Sequence, residues 1–279
     1  MSGQLYIDGL DIYASYRAYV ADQGYNSFIQ WASFKNVSYN DWYEEDGIEP
    51  DLSNPVLDSR TFTLRLVGEN NRQIQALTTK LNETARHTIV AASIGIRLGN
   101  VRFIDANMLK SIDGLWHFEL TFIEDAPSLY TMRKPSSTIK PCYDYLLDGQ
   151  LFSDFGVYIL DGSLTSIAQL PARKTNWLYS SSTANGTISG DTNNSHSKDY
   201  EAVLRCLMRA DTLDELWNNY GALYAQLTSQ GAHHIVVKQT QKNYPCYYKT
   251  QNVRRFYATG KIWLEFNIVV NVFSTPTAY

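Results

Sequence analysis

The sequence predicts an α+β fold, mostly β, in which two split β-barrel modules follow one another and each carries one packed α-helix. The first observation behind this is an internal repeat. Asp8-Gly9 opens a segment that closes on Gly114-Leu-Trp-His-Phe-Glu-Leu-Thr-Phe122, and Asp148-Gly149 opens a second that closes on Gly260-Lys-Ile-Trp-Leu-Glu-Phe-Asn-Ile268. Both closing segments place Glu five residues after Gly, and the Asp-to-Gly separations are 106 and 112 residues. Such a repeat sets the architecture, so it precedes any assignment of elements. The second observation is period-two alternation of apolar residues on either side of one helical-period stretch in each half. The third is the stretch 127–141, whose Pro127, Pro135, Pro141 and Ser136-Ser137 read as a linker. The expected organisation is therefore a first module at 1–126, a linker at 127–141 and a second module at 142–279.

Each element has its own signal. Asp8-Gly9 lies between short apolar runs and predicts a tight hairpin, and Asp148-Gly149 predicts its copy. Both halves then return to a Tyr–β-branched pair, Tyr19-Val20 and Tyr158-Ile159, and reach a glycine, Gly24 or Gly162. A long irregular stretch follows at 39–58 and again at 180–198. The first is acidic, with Asp41, Glu44, Glu45, Asp46, Glu49, Asp51 and Asp58 and no Lys or Arg, and Pro50 and Pro55 exclude regular helix. The second is rich in Ser, Thr, Asn and Gly. Loops of this length inside compact domains are usually functional or disordered.

Strands are expected next at 61–67, with Phe62, Leu64 and Leu66 on one face, and at 200–208. Ile74, Leu77, Leu81 and Ala85 share one face of a helix. Leu213, Leu216, Trp217, Tyr220, Leu223, Tyr224 and Leu227 do the same in the second half, with Asp211 or Thr212 as N-cap, Glu215 completing a capping box and Gly231 as the stop. The remaining strands are expected at 87–98, 101–109 and 115–122, and at 233–238, 246–256 and 261–273. Antiparallel strands with a segregated helix give an α+β module.

The bulk composition excludes several classes of function. Net charge is −4 with no block of Lys or Arg, so there is no basic footprint for nucleic acid. A wall past which DNA merely slides needs none. No apolar run approaches the roughly 18 residues of a membrane span. Met1-Ser-Gly-Gln-Leu-Tyr lacks the parts of a signal peptide, so synthesis in a cytoplasm is expected. Cys142, Cys206 and Cys246 are too few and too widely spaced for a disulfide framework or a metal site and read as structural thiols. The chain holds 20 Tyr, 11 Phe and 6 Trp, an excess that suits either interfaces or a β-rich core.

No catalytic, cofactor-binding or metal-ligating residue is assigned. There is no phosphate loop, nucleophile elbow or zinc-protease motif. His233 and His234 are adjacent, so in a strand they face opposite ways, and His87, His117 and His196 are isolated. Asp46-Gly47-Ile-Glu49-Pro-Asp51 offers oxygen ligands but lacks the calcium-hand pattern; a solvated acidic loop, or one that meets a basic patch on a neighbouring subunit, accounts for it. Glu119 and Glu265 recur one per module, which suits a shared structural role, such as pairing with an Arg on an adjacent strand, better than acid/base chemistry. Trp31, Trp42, Trp116 and Trp177 are the rings that would stack on sugars.

This pattern resembles the tail-tube and tail-hub proteins of bacteriophages and related contractile injection systems, which duplicate modules of β-barrel plus one helix. Leu5-Tyr-Ile-Asp-Gly-Leu-Asp-Ile12 is similar to the openings of distal tail proteins of long-tailed phages. Asn40-Asp-Trp-Tyr-Glu-Glu-Asp-Gly-Ile-Glu-Pro-Asp-Leu52 is similar to such proteins from Bacteroidetes phages and prophages. Typical distal tail proteins have a different C-terminal β-sandwich, whereas here the second half copies the first. The resemblance implies two tail-tube-like modules and a structural, non-enzymatic virion protein with no cofactor. It implies a ring, as a trimer of two-module chains or a hexamer, set between tail-tube and tail-tip proteins, with DNA passing through and the loops 39–58 and 180–198 reaching adjacent subunits or the next ring. The tail-tube protein itself and a carbohydrate- or receptor-binding tail module are the other readings.

Overall fold

A computed structural model of the 279-residue chain describes residues 2–128, 133–174, 178–183, 185–189 and 196–279. Strands β1 (Leu5–Ile7) and β2 (Leu10–Asp11) form the first hairpin. Asp8 and Gly9 join them at φ 51° and 79°, the pair of positive values that a two-residue type I′ turn requires. Helix α1 (Ile12–Tyr16) follows, capped by the Asp11 carboxylate, then β3 (Ala18–Val20). The acidic loop contains a small ribbon, β4 (Tyr39–Asn40) with β5 (Glu49–Pro50). The half ends with β6 (Arg60–Gly68), α2 (Asn71–Leu81), β7 (His87–Ala91), β8 (Ile96–Ile112) and β9 (Leu115–Glu124).

The second half runs β10 (Tyr145–Leu147), β11 (Gln150–Leu151), β12 (Val157–Ile159), α3 (Ser163–Ile167), β13 (Leu178–Ser180) and β14 (Thr187–Ser189). It continues with β15 (Tyr200–Ala210), α4 (Leu213–Leu227), β16 (His233–Val237), β17 (Lys242–Tyr257), β18 (Ile262–Val272) and β19 (Thr277–Ala278).

The two main sheets have one topology. The first is ordered β2-β1-β7-β8-β9-β6-β3 and the second β11-β10-β16-β17-β18-β15-β12, with β19 added beside β17. All these pairings are antiparallel. The repeat extends to irregularities: β8 slips register at Phe103/Asp105 and Met108/Lys110, and β17 at Tyr248/Thr250 and Val253/Arg255. Bulges bend a strand and raise its twist, so both sheets are bent at the same two places.

A repeated clamp ties each opening hairpin to its sheet. The Asp8 carboxylate meets His87 Nδ1 at 2.7 Å and accepts the Thr88 N–H at 2.8 Å; Asp148 meets His233 Nδ1 at 2.8 Å and accepts the His234 N–H at 2.7 Å. His233 is buried and His234 exposed, as their adjacency in a strand requires. One apolar cluster runs through both halves, from Phe62, Leu64 and Leu66 with Ile74, Leu77 and Leu81 to Leu204, Leu216, Leu223 and Phe266.

Four details differ from the sequence-based expectation. The 87–98 strand is interrupted by a 3-10 turn at Ala92–Ile94, and β8 then runs unbroken past residue 100. Ala85 lies beyond α2, which ends at Asn82, whose side chain bonds the Thr78 carbonyl. Gly231 does not stop α4. Thr228 does, by bonding the Tyr224 carbonyl, while Gly231, at φ 96°, donates to Leu52 O on the way to β16. Glu119 and Glu265 are not equivalent. Glu119 pairs across from Arg65, and the counterpart of that pair is Arg205 with Asn267. With Phe118 and Phe266 equivalent, Glu265 stands at the place of His117, two positions from that of Glu119, which preserves the face and moves the position.

Candidate functional site

The richest chemical arrangement is the junction between the two halves, and residues 23–34 build it. In the second sheet β16 pairs with β17 at 242–246 only, which leaves the rest of that β17 edge to be covered. The Gln23 side chain bonds the Phe256 backbone in both directions, at 2.8 and 3.3 Å. Asn26 Nδ2 donates to Arg254 O at 2.8 Å, and the Phe34 N–H to Lys249 O at 3.0 Å. An open strand edge is thus satisfied by loop groups rather than by another strand.

Trp31 anchors the segment. Its ring stacks on Tyr224 with centroids 4.8 Å apart, lies 4.5 Å from Tyr220 and meets Tyr248 and Phe266 edge-on. The Tyr220 hydroxyl donates to Ile29 O, and the Tyr224 and Tyr248 hydroxyls both donate to Ala32 O, each at 2.9 Å. The Trp31 backbone N–H donates to Gln251 Oε1 at 3.1 Å, while its buried indole N–H has no hydrogen-bond partner among the described residues. Burial pushes the Tyr248 phenol well above its ordinary range. Large rings give such a junction area, and the bonded tyrosine hydroxyls give it direction. Part of the aromatic excess is therefore intramolecular.

Part of the acidic loop 39–58 docks on its own chain. The Gly47 N–H donates to Ser197 O at 2.7 Å and the Ile48 N–H to Phe273 O at 2.8 Å. Asp46 accepts the Ser197 N–H at 2.6 Å and the Thr275 hydroxyl at 3.1 Å. The Ser197 N–H, opposed by some burial and helped by Thr275 and His196, holds the Asp46 carboxyl below its usual range. Buried Lys174 bonds Asp41 and the Trp42 carbonyl, both at 2.6 Å, so the basic partner of this loop belongs to the same chain. Among the described residues no group of three His, Cys, Asp or Glu is placed to hold a metal ion.

The other candidates are dispersed. Glu119 pairs with Arg65 at 2.5 Å, as its strand position suggested. Glu265 sits opposite Arg255 and lines a cleft of about 970 Å³ between the halves that Glu119 does not line. Trp31 is buried, and Trp116 packs against the core. Trp42 is exposed beside Tyr39 and Tyr43, and Trp177 lies outside the described residues. Burial raises the Cys206 and Cys246 thiols. Residues 133–141 lie along α4, where Ser136 N–H donates to Asn219 Oδ1 at 2.7 Å and Thr138 N–H to Glu215 Oε1 at 2.9 Å. The role of residues 23–34 was missed in sequence; the one signal was Trp31, which reads equally as a sugar-stacking ring.

No protein-family model matches the chain, and no curated protein matches it in sequence. Among solved structures the chain is similar to the SPP1 Dit protein (gp 19.1), described as a paradigm of the hub adsorption apparatus in Gram-positive infecting phages. The alignment covers 96% of this chain and 97% of that one, at 12% sequence identity and a TM-score of 0.35. A likeness at that level establishes neither descent nor function. No helix among the described residues is long and apolar enough to cross a membrane.

Proposed function

We propose that this chain is a structural protein of a bacteriophage tail. In this reading it forms a ring, in the hub or distal-tail position, that joins the tail tube to the tip or baseplate and lines the channel through which DNA passes. The observation that carries the reading is the duplication: one seven-stranded order occurs twice, with its bulges and its Asp–His clamps. Like modules joined by a contact between unlike surfaces generate a ring when the rotation closes. Three chains then give six modules, and a hexamer of chains is the other closure. Residues 1–126 and 142–279 are the two tail-tube-like domains, and 127–141 joins them. The resemblance at residues 5–12 and 40–52 points to a phage tail, and a net charge of −4 suits a wall that DNA passes without binding.

The test is the mass of the purified protein in solution at high concentration. A ring of three or six chains is expected, and dispersed monomers overturn the proposal. Few copies per virion by quantitative mass spectrometry identify a hub or distal tail protein; many copies identify the tail-tube protein instead. A second reading, a carbohydrate-binding tail module, has one observation in its favour: Tyr39, Trp42 and Tyr43 are 58%, 51% and 70% exposed on one loop. Glycan-array binding lost in Trp42→Ala supports it, and an array with no binder removes it.

A further inference from the structure

The contact that joins the two halves has an empty counterpart. Residues 23–34 of the first half cover α4 and β17 of the second. Residues 162–173 are the matching stretch of the second half. The match is fixed at both ends: Val20 and Ile159 end β3 and β12, and the isolated bridge Phe34–Leu57 recurs as Arg173–Ser197. Each offset is 139 residues, so Leu170 occupies the place of Trp31. Leu170 is 94% exposed, where Trp31 is 3% exposed.

The receiving surface has a counterpart too. Counting from the N-caps Asn70 and Thr212, Gln75, Thr78 and Asn82 stand where Trp217, Tyr220 and Tyr224 stand. The shared registers place Ala106 and Met108 where Gln251 and Val253 stand, and Phe118 where Phe266 stands. These six residues line an open groove of about 510 Å³ between α2 and β8. Among the described residues β7 pairs β8 no further than Val101, so the far part of that edge is open. Ile104 and Leu109, 50% and 47% exposed, replace the Lys249 and Arg254 of the covered copy. Apolar side chains on an open edge mark a surface built to be covered.

We infer that residues 162–173 of one chain dock on the α2–β8 groove of a second copy, with Leu170 seated as Trp31 is seated within the chain. The occupant is a second copy because the same chain already shows this segment on this surface, one module earlier. The chemistry differs in the expected sense. The internal junction is closed at all times and tolerates Trp on Tyr. A groove that stands open before assembly keeps a chain dispersed if it presents Thr78 and Asn82 instead. The contact joins unlike surfaces, so its repetition propagates in one direction. This inference rests on the ring reading and adds its surface and polarity.

The test is disulfide trapping in a Cys142→Ser background. Co-expressed Leu170→Cys and Thr78→Cys chains are expected to give a disulfide-linked dimer, neither variant alone doing so, and a chain carrying both substitutions is expected to give a ladder. Leu170→Asp, at a solvent-facing site, is expected to lower the particle mass to that of the free chain, with the melting temperature of wild-type chain diluted until it is unassembled. Particles of ring mass that form no 78–170 link and survive Leu170→Asp overturn the inference while leaving the ring reading intact. Wild-type protein that stays monomeric at high concentration overturns both.

Discussion

Asp148 accepts from three donors at once: Gln226 Nε2 at 2.7 Å, His233 Nδ1 at 2.8 Å and the His234 N–H at 2.7 Å. Burial alone would raise its carboxyl, but the bonds from His233, Gln226 and His234 outweigh it and hold the group below its ordinary value. A folded-state pKa below the unfolded one adds stability above the ordinary carboxylate range, near pH 4, and that stability is lost as pH falls through the folded value. Asp148→Asn is therefore expected to destabilise the protein by about 1–3 kcal/mol at pH 7. In urea melts the gap from wild type should narrow below about pH 4. Trp31→Ala removes a ring held between Tyr220 and Tyr224. A cost of about 3–5 kcal/mol is expected for a buried Trp, read by the same melts.

At the level of elements, capping and loop docking decide what is ordered. Thr212 Oγ1 accepts the Glu215 N–H at 3.1 Å, the first half of a capping box, while Glu215 Oε2 returns one residue further out, to the Asp211 N–H at 2.9 Å, rather than to the N-cap itself. Thr212→Ala is expected to cost about 1 kcal/mol, measured by thermal unfolding. Glu215 also holds Thr138 through Oε1, so its loss should loosen the 133–141 stretch as well. Gly47 is the hinge of the acidic loop. It sits at φ +75°, and an added Cβ would lie 1.8 Å from Phe273 O. Gly47→Ala adds backbone strain of about 1–3 kcal/mol to that clash. The loop is expected to lift from β18, seen as faster amide exchange at residues 46–48 with the sheets unaffected.

For the whole molecule, the duplication leaves the two halves unequal in one respect: the second is covered by the first, and the first stands uncovered at β8. Ile104, Met108, Leu109 and Ile112 are all exposed along that strand. Leu109→Arg is expected to reduce assembly, read by sedimentation, while shifting folding stability by no more than about 0.5 kcal/mol, as surface substitutions do. The reverse behaviour, an intact particle from a destabilised chain, would assign Leu109 to the fold of the single chain.

The repeat, the Asp-Gly turns, the long helix of each half and most strands were legible in the sequence, because these depend on local periodicity and on turn residues with restricted φ. The two-residue offset between Glu119 and Glu265 escaped it, since a shift of two keeps the alternation intact. The tertiary structure alone decided what the irregular stretches do. Residues 23–34 and 39–58 have no period to read, and their order comes from hydrogen bonds to β17, to Ser197 and to Phe273, far away in the chain. Such partners are set by the packing of one module on the other, which no local pattern encodes.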